Sequence, residues 1–290
     1  MDYILHIGIL VCIYTIITVS TNLLVGLSNQ ISLGQAAFLG IGAYITALCT
    51  ILLNLSLIPT LIIVMIVNAL LSFLLAISSI KLKGDFFILA TLAFQFIIYS
   101  ILYNWKDVTQ GSAGITGIPY PNIFYLIDIN TNLSFLILAV FFTLITLILF
   151  YRFFYSPFGL ALKAMREDEI ALQTLGRNTK NLKVWSFVIS SSFIGWASYL
   201  YASYMSYINP VGFNLEESIF ILIAVLIGGI GNLKGSVTGA LFVILLPEIL
   251  RFVGLPDGIA APVHQIIYGS ILIVLMFFRP GGLFGNLEFK

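Results

Sequence analysis

The sequence predicts an all-α fold, a polytopic transmembrane helical bundle of eight to ten spans with one amphipathic helical segment held outside the membrane. Three observations lead there. Of 290 residues, 60% are hydrophobic and 9% charged, against roughly 25% charged in soluble domains, and mean hydropathy is +1.09. Apolar runs of near-spanning length recur along the whole chain. Nine charged side chains gather in residues 152–183, and at roughly 2.5 to 3.5 kcal/mol each at mid-bilayer that stretch cannot be a span.

Taken in order, the apolar runs place spans near 3–25, 31–53, 58–80, 86–103, 131–151, 184–206, 217–231, 235–253 and 261–278. Met1-Asp2 supplies neither the positive start nor the cleavage site of a signal peptide, so the first run is expected to be retained as a span. No Asp, Glu, Lys or Arg occurs from Tyr3 to Ile80. The breaks at Ser28-Asn29-Gln30 and Asn54 to Pro59 are therefore read from polar and turn residues. With 152–183 cytoplasmic, Lys81, Lys83, Arg152, Lys163, Arg166, Arg177, Lys180, Lys183, Lys234, Arg279 and Lys290 all fall inside, and Lys106 and Arg251 outside. That asymmetry matches the retention of Lys and Arg in cytoplasmic loops. The C-terminus is then cytoplasmic, and nine full spans put the N-terminus outside, unless one segment is re-entrant.

Within 152–183 the local grammar is helical. Ser156 can cap, Pro157 suits a first helical position, and Gly176 can take the left-handed conformation that ends a helix. Phe158, Leu162, Met165 and Leu172 fall near one face, which predicts an amphipathic element of two short helices hinged at Arg166 to Glu169. From these residues alone it is either a solvated loop or a docking element.

Gly26 to Tyr44 is the most polar intramembrane stretch. Ser32, Ala36, Gly40, Ala43 and Ala47 recur at helical spacing, a smooth stripe suited to close helix packing. Gln30 and Gln35 add amides that either pack internally or line a translocation path; with Ser32 and Gly34 they are the path candidates. Asn104 to Asn130 is the longest polar external stretch, with turns enforced by Gly111, Gly114, Gly117, Pro119 and Pro121, either a passive connector or a docking surface. Ile227 to Ala240, IGGIGNLKGSVTGA, reads as a cytoplasm-facing hairpin around Lys234 or as a broken helix.

Chemistry is excluded more readily than found. The stretch GGIGNLKGS lacks phosphate-loop spacing, because Lys234 follows Leu233 and precedes Gly235. His6 and His264 have no neighbouring Cys or carboxylate at zinc spacing, and Cys12 and Cys49 sit in apolar runs as small core residues, so no metal site is expected. No nucleophile elbow or carboxylate pair is visible, so no catalytic residue is expected. Glu248 and Arg251 can pair at i, i+3, and Glu216 and Glu217 suit a helix start. With no deeply embedded charge, ion-coupled transport is disfavoured. A net charge of +1 without basic patches disfavours nucleic acid.

Five blocks in order carry a family resemblance: Gly26 to Tyr44, GDFFILATLAF at Gly84 to Phe94, GSAGITGIP at Gly111 to Pro119, SPFGLALKAMREDEIALQTLG at Ser156 to Gly176, and GGIGNLKGSVTGA at Gly228 to Ala240. Together they resemble the branched-chain amino acid ABC transporter permeases, close to the second of the two permease subunits. The resemblance implies one permease domain over 1–290 in a bacterial or archaeal cytoplasmic (inner) membrane. It also implies a homologous second permease, a substrate-binding protein, and two ATPase subunits that hold the ATP and Mg, leaving this chain without a cofactor and without enzymatic activity. Residues 152–183 become the ATPase-coupling segment, with Arg166, Glu167, Asp168, Glu169, Ala171 and Gly176 in the docking loop. Glu169, Ala171 and Gly176 are similar to the Glu-Ala-Ala plus Gly pattern of ABC importers, from which Ile170 departs. The expected substrates are branched-chain or other apolar amino acids. The alternatives are a sibling permease for urea or short-chain amides and, from another class, a stand-alone channel or secondary carrier.

Overall fold

The computed structural model describes residues 2–79, 84–123, 127–129, 131–251, 266–267, 269–270, 273 and 282–284. His264, Lys81, Lys83, Arg279, Lys290 and most of the expected span 261–278 lie outside the described residues. The helices are α1 (Asp2–Asn22), continued by a π-helical turn (Leu23–Leu27), α2 (Gln35–Ile51), α3 (Leu57–Ser79), α4 (Asp85–Asn104), the short α5 (Lys106–Thr109), α6 (Asn132–Tyr155), α7 (Pro157–Glu167), α8 (Glu169–Thr174), α9 (Thr179–Met205), α10 (Leu215–Gly228) and α11 (Leu233–Arg251).

The all-α expectation needs one amendment. Strands β1 (Ile115–Thr116) and β4 (Tyr207–Ile208) pair antiparallel, as do β2 (Asn122–Ile123) and β3 (Ile127–Asp128). These two-residue ribbons form in connectors whose backbone groups have no helix to satisfy them. The first ribbon fastens the external connector to the end of α9, where the amides of Gly117 and Ile118 both donate to the Ser206 carbonyl.

Among the described residues, four helices are long and apolar enough to cross a membrane: α1 with its π turn, α3, α4 and α6. At a rise of 1.5 Å per residue, α2 with 17 residues and α10 with 14 measure about 25 and 21 Å, short of a hydrocarbon core of about 30 Å. The expected span 31–53 is helical only from Gln35, because residues 29–34 run as a non-helical linker starting at Asn29, φ +53°.

Helix α9 sits centrally against α1, α2 and α3. It does so by presenting small residues: a Cβ on Gly42 of α2 would lie 2.3 Å from Ser198 Oγ, so the two helices approach as closely as their backbones allow. Ser32, Ala36, Gly40, Ala43 and Ala47 are all buried, but Ser32 falls in the non-helical linker and drops off the predicted helical stripe, leaving Ala36, Gly40, Ala43 and Ala47 as the packing face of α2, where Gly40 abuts Phe213. Cys12 and Cys49 are free thiols in apolar packing, Cys49 buried and Cys12 half-buried. At one end of the bundle His6 Nδ1 lies 2.7 Å from the Tyr204 hydroxyl, and the Tyr3 hydroxyl donates to Glu248. Glu248 is thus engaged with α1, whereas the side chain of Arg251, its expected partner, lies outside the described residues. The opposite end holds α7, α8 and the first turns of α9 and α11.

Candidate functional site

The amphipathic segment forms because each of its ends is capped locally. Ser156 Oγ accepts from the Gly159 amide at 3.2 Å, and Pro157 opens α7. Asp168 breaks the helix at an extended backbone and restarts it as α8, its Oδ1 accepting the Ile170 and Ala171 amides at 2.9 Å each. Gly176, at φ +80°, closes α8 with paired bonds from its own amide to Gln173 and from the Arg177 amide to Leu172, a left-handed termination that only glycine adopts without cost. Leu162, Met165 and Leu172 are buried against Val19, Leu23, Leu27, Phe150 and Phe193, with Phe158 packed beside them. The expected two-helix element, its hinge and its buried face are all observed.

The outward face has an unusual composition. Ile170 on the short α8 is 72% exposed and Leu175, which caps its end, 79% exposed, with Glu167, Asp168, Ala171 and Gly176 also exposed around them. Glu169 is turned inward: its carboxylate accepts from Lys183 Nζ at 2.8 Å, bracing α8 on the first turn of α9.

Arg166 also faces inward, and its Nη1 donates to the Gly26 carbonyl at 2.6 Å. Burial shifts its pKa down, with neighbouring Glu167 acting in the opposite direction; an arginine keeps its charge regardless. Gly26 lies in the π turn that ends α1, where the altered bonding ladder leaves carbonyls available. A Cβ on Gly26 would fall 2.0 Å from Asn22 Oδ1 and 2.5 Å from the Gly231 nitrogen. The π turn, Asn22 and the α10–α11 loop are therefore in direct contact.

Asn22 is fully buried and organises that loop. Its Nδ2 lies 3.1 Å from the Gly229 carbonyl, 3.0 Å from the Asn232 carbonyl and 2.7 Å from Ser236 Oγ, while Oδ1 accepts from the Gly231 amide at 2.8 Å. Behind it α10 and α11 touch backbone to backbone: a Cβ on Gly228 would lie 2.0 Å from the Gly235 carbonyl oxygen, and one on Gly239 2.0 Å from that of Ala224. The glycine-rich stretch is thus a tight hairpin. The amides of Leu283 and Phe284 close it by donating to the carbonyls of Ile227 and Gly228.

The four path candidates divide. Gln30 Nε2 donates to Ser28 Oγ at 3.1 Å and Ser186 Oγ at 3.2 Å, fastening the linker to α9. Ser32 Oγ accepts the Gly34 amide at 3.2 Å, and the Leu33 amide reaches Thr91 Oγ1 of α4 at 3.1 Å; these shape the linker. Gln35, at the first turn of α2, is 1% exposed, and both its amide atoms lack a partner. Thr21, Tyr44, Ser190 and Ser191 likewise bury unpartnered hydroxyls on α1, α2 and α9. Each such group costs about 1–3 kcal/mol.

Several of these residues were not singled out from the sequence. Asn22 is a lone amide in an apolar run, and the Ser190-Ser191-Ser192 triplet is a polar interruption of a span; both are intramembrane polar signals. Gly231 and Ser236 lie in the glycine-rich stretch Ile227 to Ala240, which reads as a hairpin or broken helix, but nothing in it points to Asn22 as their partner. Glu217, expected at a helix start, is in the first turn of α10 and accepts from the Tyr14 hydroxyl of α1 at 2.6 Å.

Comparison with known proteins identifies the family. The model of the family described as "Branched-chain amino acid transport system / permease component" matches residues 3–276. The high-affinity branched-chain amino acid transport system permease protein LivM of Escherichia coli (strain K12) is 30% identical over 299 residues, covering 96% of this chain and 69% of that protein. A probable branched-chain amino acid transport permease protein LivM of Methanocaldococcus jannaschii is 26% identical over 215 residues, 71% of this chain and 61% of its own. The E. coli permease protein LivH is 26% identical over 199 residues, 64% of this chain and 61% of its own. No solved structure matches. With the family model spanning nearly the whole chain, this protein is a member of the branched-chain amino acid transport system permease component family.

Proposed function

We propose that the chain is the membrane-spanning permease subunit of an ATP-driven importer for branched-chain or other apolar amino acids in a cytoplasmic membrane. It works with a homologous second permease, two ATPase subunits and a substrate-binding protein. Residues 1–290 form one permease domain, and 152–183 is its cytoplasmic coupling segment. The observation that carries this reading is the two-sided construction of α7–α8. Outward, a water-exposed element presents Ile170 and Leu175 bare, as a surface built to be covered by a partner does. Inward, Glu169–Lys183 and Arg166–Gly26 hold it rigidly to α9 and to the broken end of α1.

Force applied to α8 by an ATPase then reaches the π turn through Arg166, and the α10–α11 hairpin through Asn22. The unpartnered buried groups on α1, α2 and α9 support a path that is closed in this conformation: groups with no partner here find one, water or substrate, when the helices separate. Successive long segments alternate in direction, with α1, the 29–34 linker plus α2, α3, α4, α6, α9, α10 and α11 as eight passes and 261–278 as a ninth. The N-terminus is then outside and the C-terminus cytoplasmic.

The test is reconstitution in liposomes with the ATPase subunits, second permease and binding protein encoded beside it. Uptake of labelled leucine, isoleucine or valine should require ATP inside the ATPase-accessible compartment and stop with a hydrolysis-dead ATPase. Rapid downhill flux through the isolated chain would instead make it a channel or secondary carrier, and ATP-driven uptake of urea or amides alone would correct the substrate.

A further inference from the structure

A cleft of about 240 Å³ opens between the end of α6, α7 and the α10–α11 hairpin, lined among others by Tyr151, Tyr155, Lys163, Asn232 and Lys234. Its charge is one-signed. Lys163 Nζ stands 5.4 Å from the Tyr155 ring centroid, and no described carboxylate forms an ion pair with Lys163 or Lys234. The nearest acid along α7, Glu167, does not line the cleft.

What leads into the cleft is apolar. Along α6, Leu133, Ile137, Phe141, Leu144, Ile148, Tyr151 and Tyr155 are all large and between 53% and 65% exposed, at spacings of three and four that keep them on one helix face. From Leu144 to Tyr155 this stripe runs about 16 Å, close to the roughly 15 Å hydrocarbon depth of one leaflet. It ends in Tyr151 and Tyr155, ring centroids 4.8 Å apart, as aromatic residues end the lipid-facing part of a span at the headgroup level.

We propose that this cleft binds the phosphate of an anionic phospholipid whose acyl chains lie along the exposed stripe of α6. The inference rests on the membrane topology proposed above, which puts this end of α6 at the cytoplasmic surface. Charge complementarity selects the ligand: two lysines in a cleft whose lining holds no carboxylate match a headgroup of net negative charge and give a zwitterionic one no advantage. The lysine stems can lie on the tyrosine rings while the ammonium groups reach the phosphate plane.

The test uses the purified full-length chain in a neutral detergent, with lipid retention read by native mass spectrometry against phosphatidylglycerol, phosphatidylcholine and inorganic phosphate. Phosphatidylglycerol should be retained in preference to phosphatidylcholine. Lys163→Gln and Lys234→Gln should each weaken that preference about fivefold and together about 25-fold. Lys163→Arg with Lys234→Arg should keep it, which separates loss of charge from loss of folding. Equal retention of the two lipids, or an unchanged preference in the double Gln variant, overturns the proposal. Displacement of lipid by millimolar phosphate would make the site one for a free anion, and a lipid-free dimer buried along α6 would make the stripe a contact between copies. Because the readout is bound lipid, a chain that transports normally yet shows no headgroup preference refutes this inference alone.

Discussion

Replacing Asn22 by alanine tests the internal junction most directly. The amide has two N–H hydrogens and one strong acceptor, so its four short contacts amount to three full hydrogen bonds. Interhelical bonds in membrane proteins average about 0.6 kcal/mol and reach about 1.7, because the unfolded chain in the membrane finds substitute partners. Bonds to buried backbone in soluble proteins contribute about 0.5–1.5 kcal/mol. The Gly229 carbonyl and Gly231 amide that Asn22 satisfies belong to the non-helical loop Gly229–Asn232 and have no helix to return to, so the upper part of both ranges applies, although the Asn232 carbonyl also accepts the Ser236 amide. Asn22→Ala should therefore destabilise the protein by about 2–4 kcal/mol. Ser236→Ala should lose about 1 kcal/mol, and the double variant less than the sum, because the two side chains share a bond. The assay is reversible unfolding in mixed detergent–SDS micelles. A loss below 0.5 kcal/mol for Asn22→Ala, or strict additivity with Ser236→Ala, would refute the junction.

Four further outcomes follow from the same geometry. Gly239→Ala places a Cβ 2.0 Å from the Ala224 carbonyl oxygen and should lower thermal stability by about 3 kcal/mol or prevent folding; Gly212→Ala, with its nearest neighbour 3.6 Å away, should stay within about 0.5 kcal/mol of wild type in the same melt. Gln35→Met removes amide atoms that have no partner, so unfolding should show unchanged or slightly raised stability while vesicle uptake falls; a stability loss above about 1 kcal/mol would mean that Gln35 is a packing residue. Arg166→Met should reduce stability by about 1.5–3 kcal/mol and leave the reconstituted complex hydrolysing ATP with little uptake, as read by the ratio of substrate moved to ATP consumed. Leu175→Asp, at a position 79% exposed, should leave the melt of the isolated chain unchanged within about 0.5 kcal/mol yet abolish co-purification with the ATPase subunits.

What was legible in the sequence is local. Ser156 and Gly176 announce caps because capping involves atoms only two to five residues apart; α7 begins and α8 ends where those residues stand, and the expected hinge falls at Asp168. The buried face of Leu162, Met165 and Leu172 follows from helical spacing in the same way. Less legible was which polar side chains are used internally. Gln30 and Gln35 lie five residues apart in one polar stretch and look equivalent, yet Gln30 is bonded to Ser28 and Ser186 while Gln35 is not bonded at all. Ser186 is 156 residues from Gln30 in the chain, and nothing near Gln30 encodes it. Likewise Glu169, a candidate contact for a partner, is occupied by Lys183, and the large side chains left exposed there are Ile170 and Leu175.

By itself, the sequence determined a membrane-embedded helical protein, the single long segment that cannot enter the bilayer, and the family to which its ordered blocks are similar. These depend on transfer free energies and on helix periodicity, which are properties of residues and their near neighbours. Only the tertiary structure decided that the non-membrane segment is joined through Arg166 to a π turn in α1, and that Asn22 ties this turn to a hairpin more than 200 residues away. The reason is that a hydrogen bond is specified by where two groups meet in space. An asparagine in an apolar run signals that a partner must exist, and only the folded chain shows which one it found.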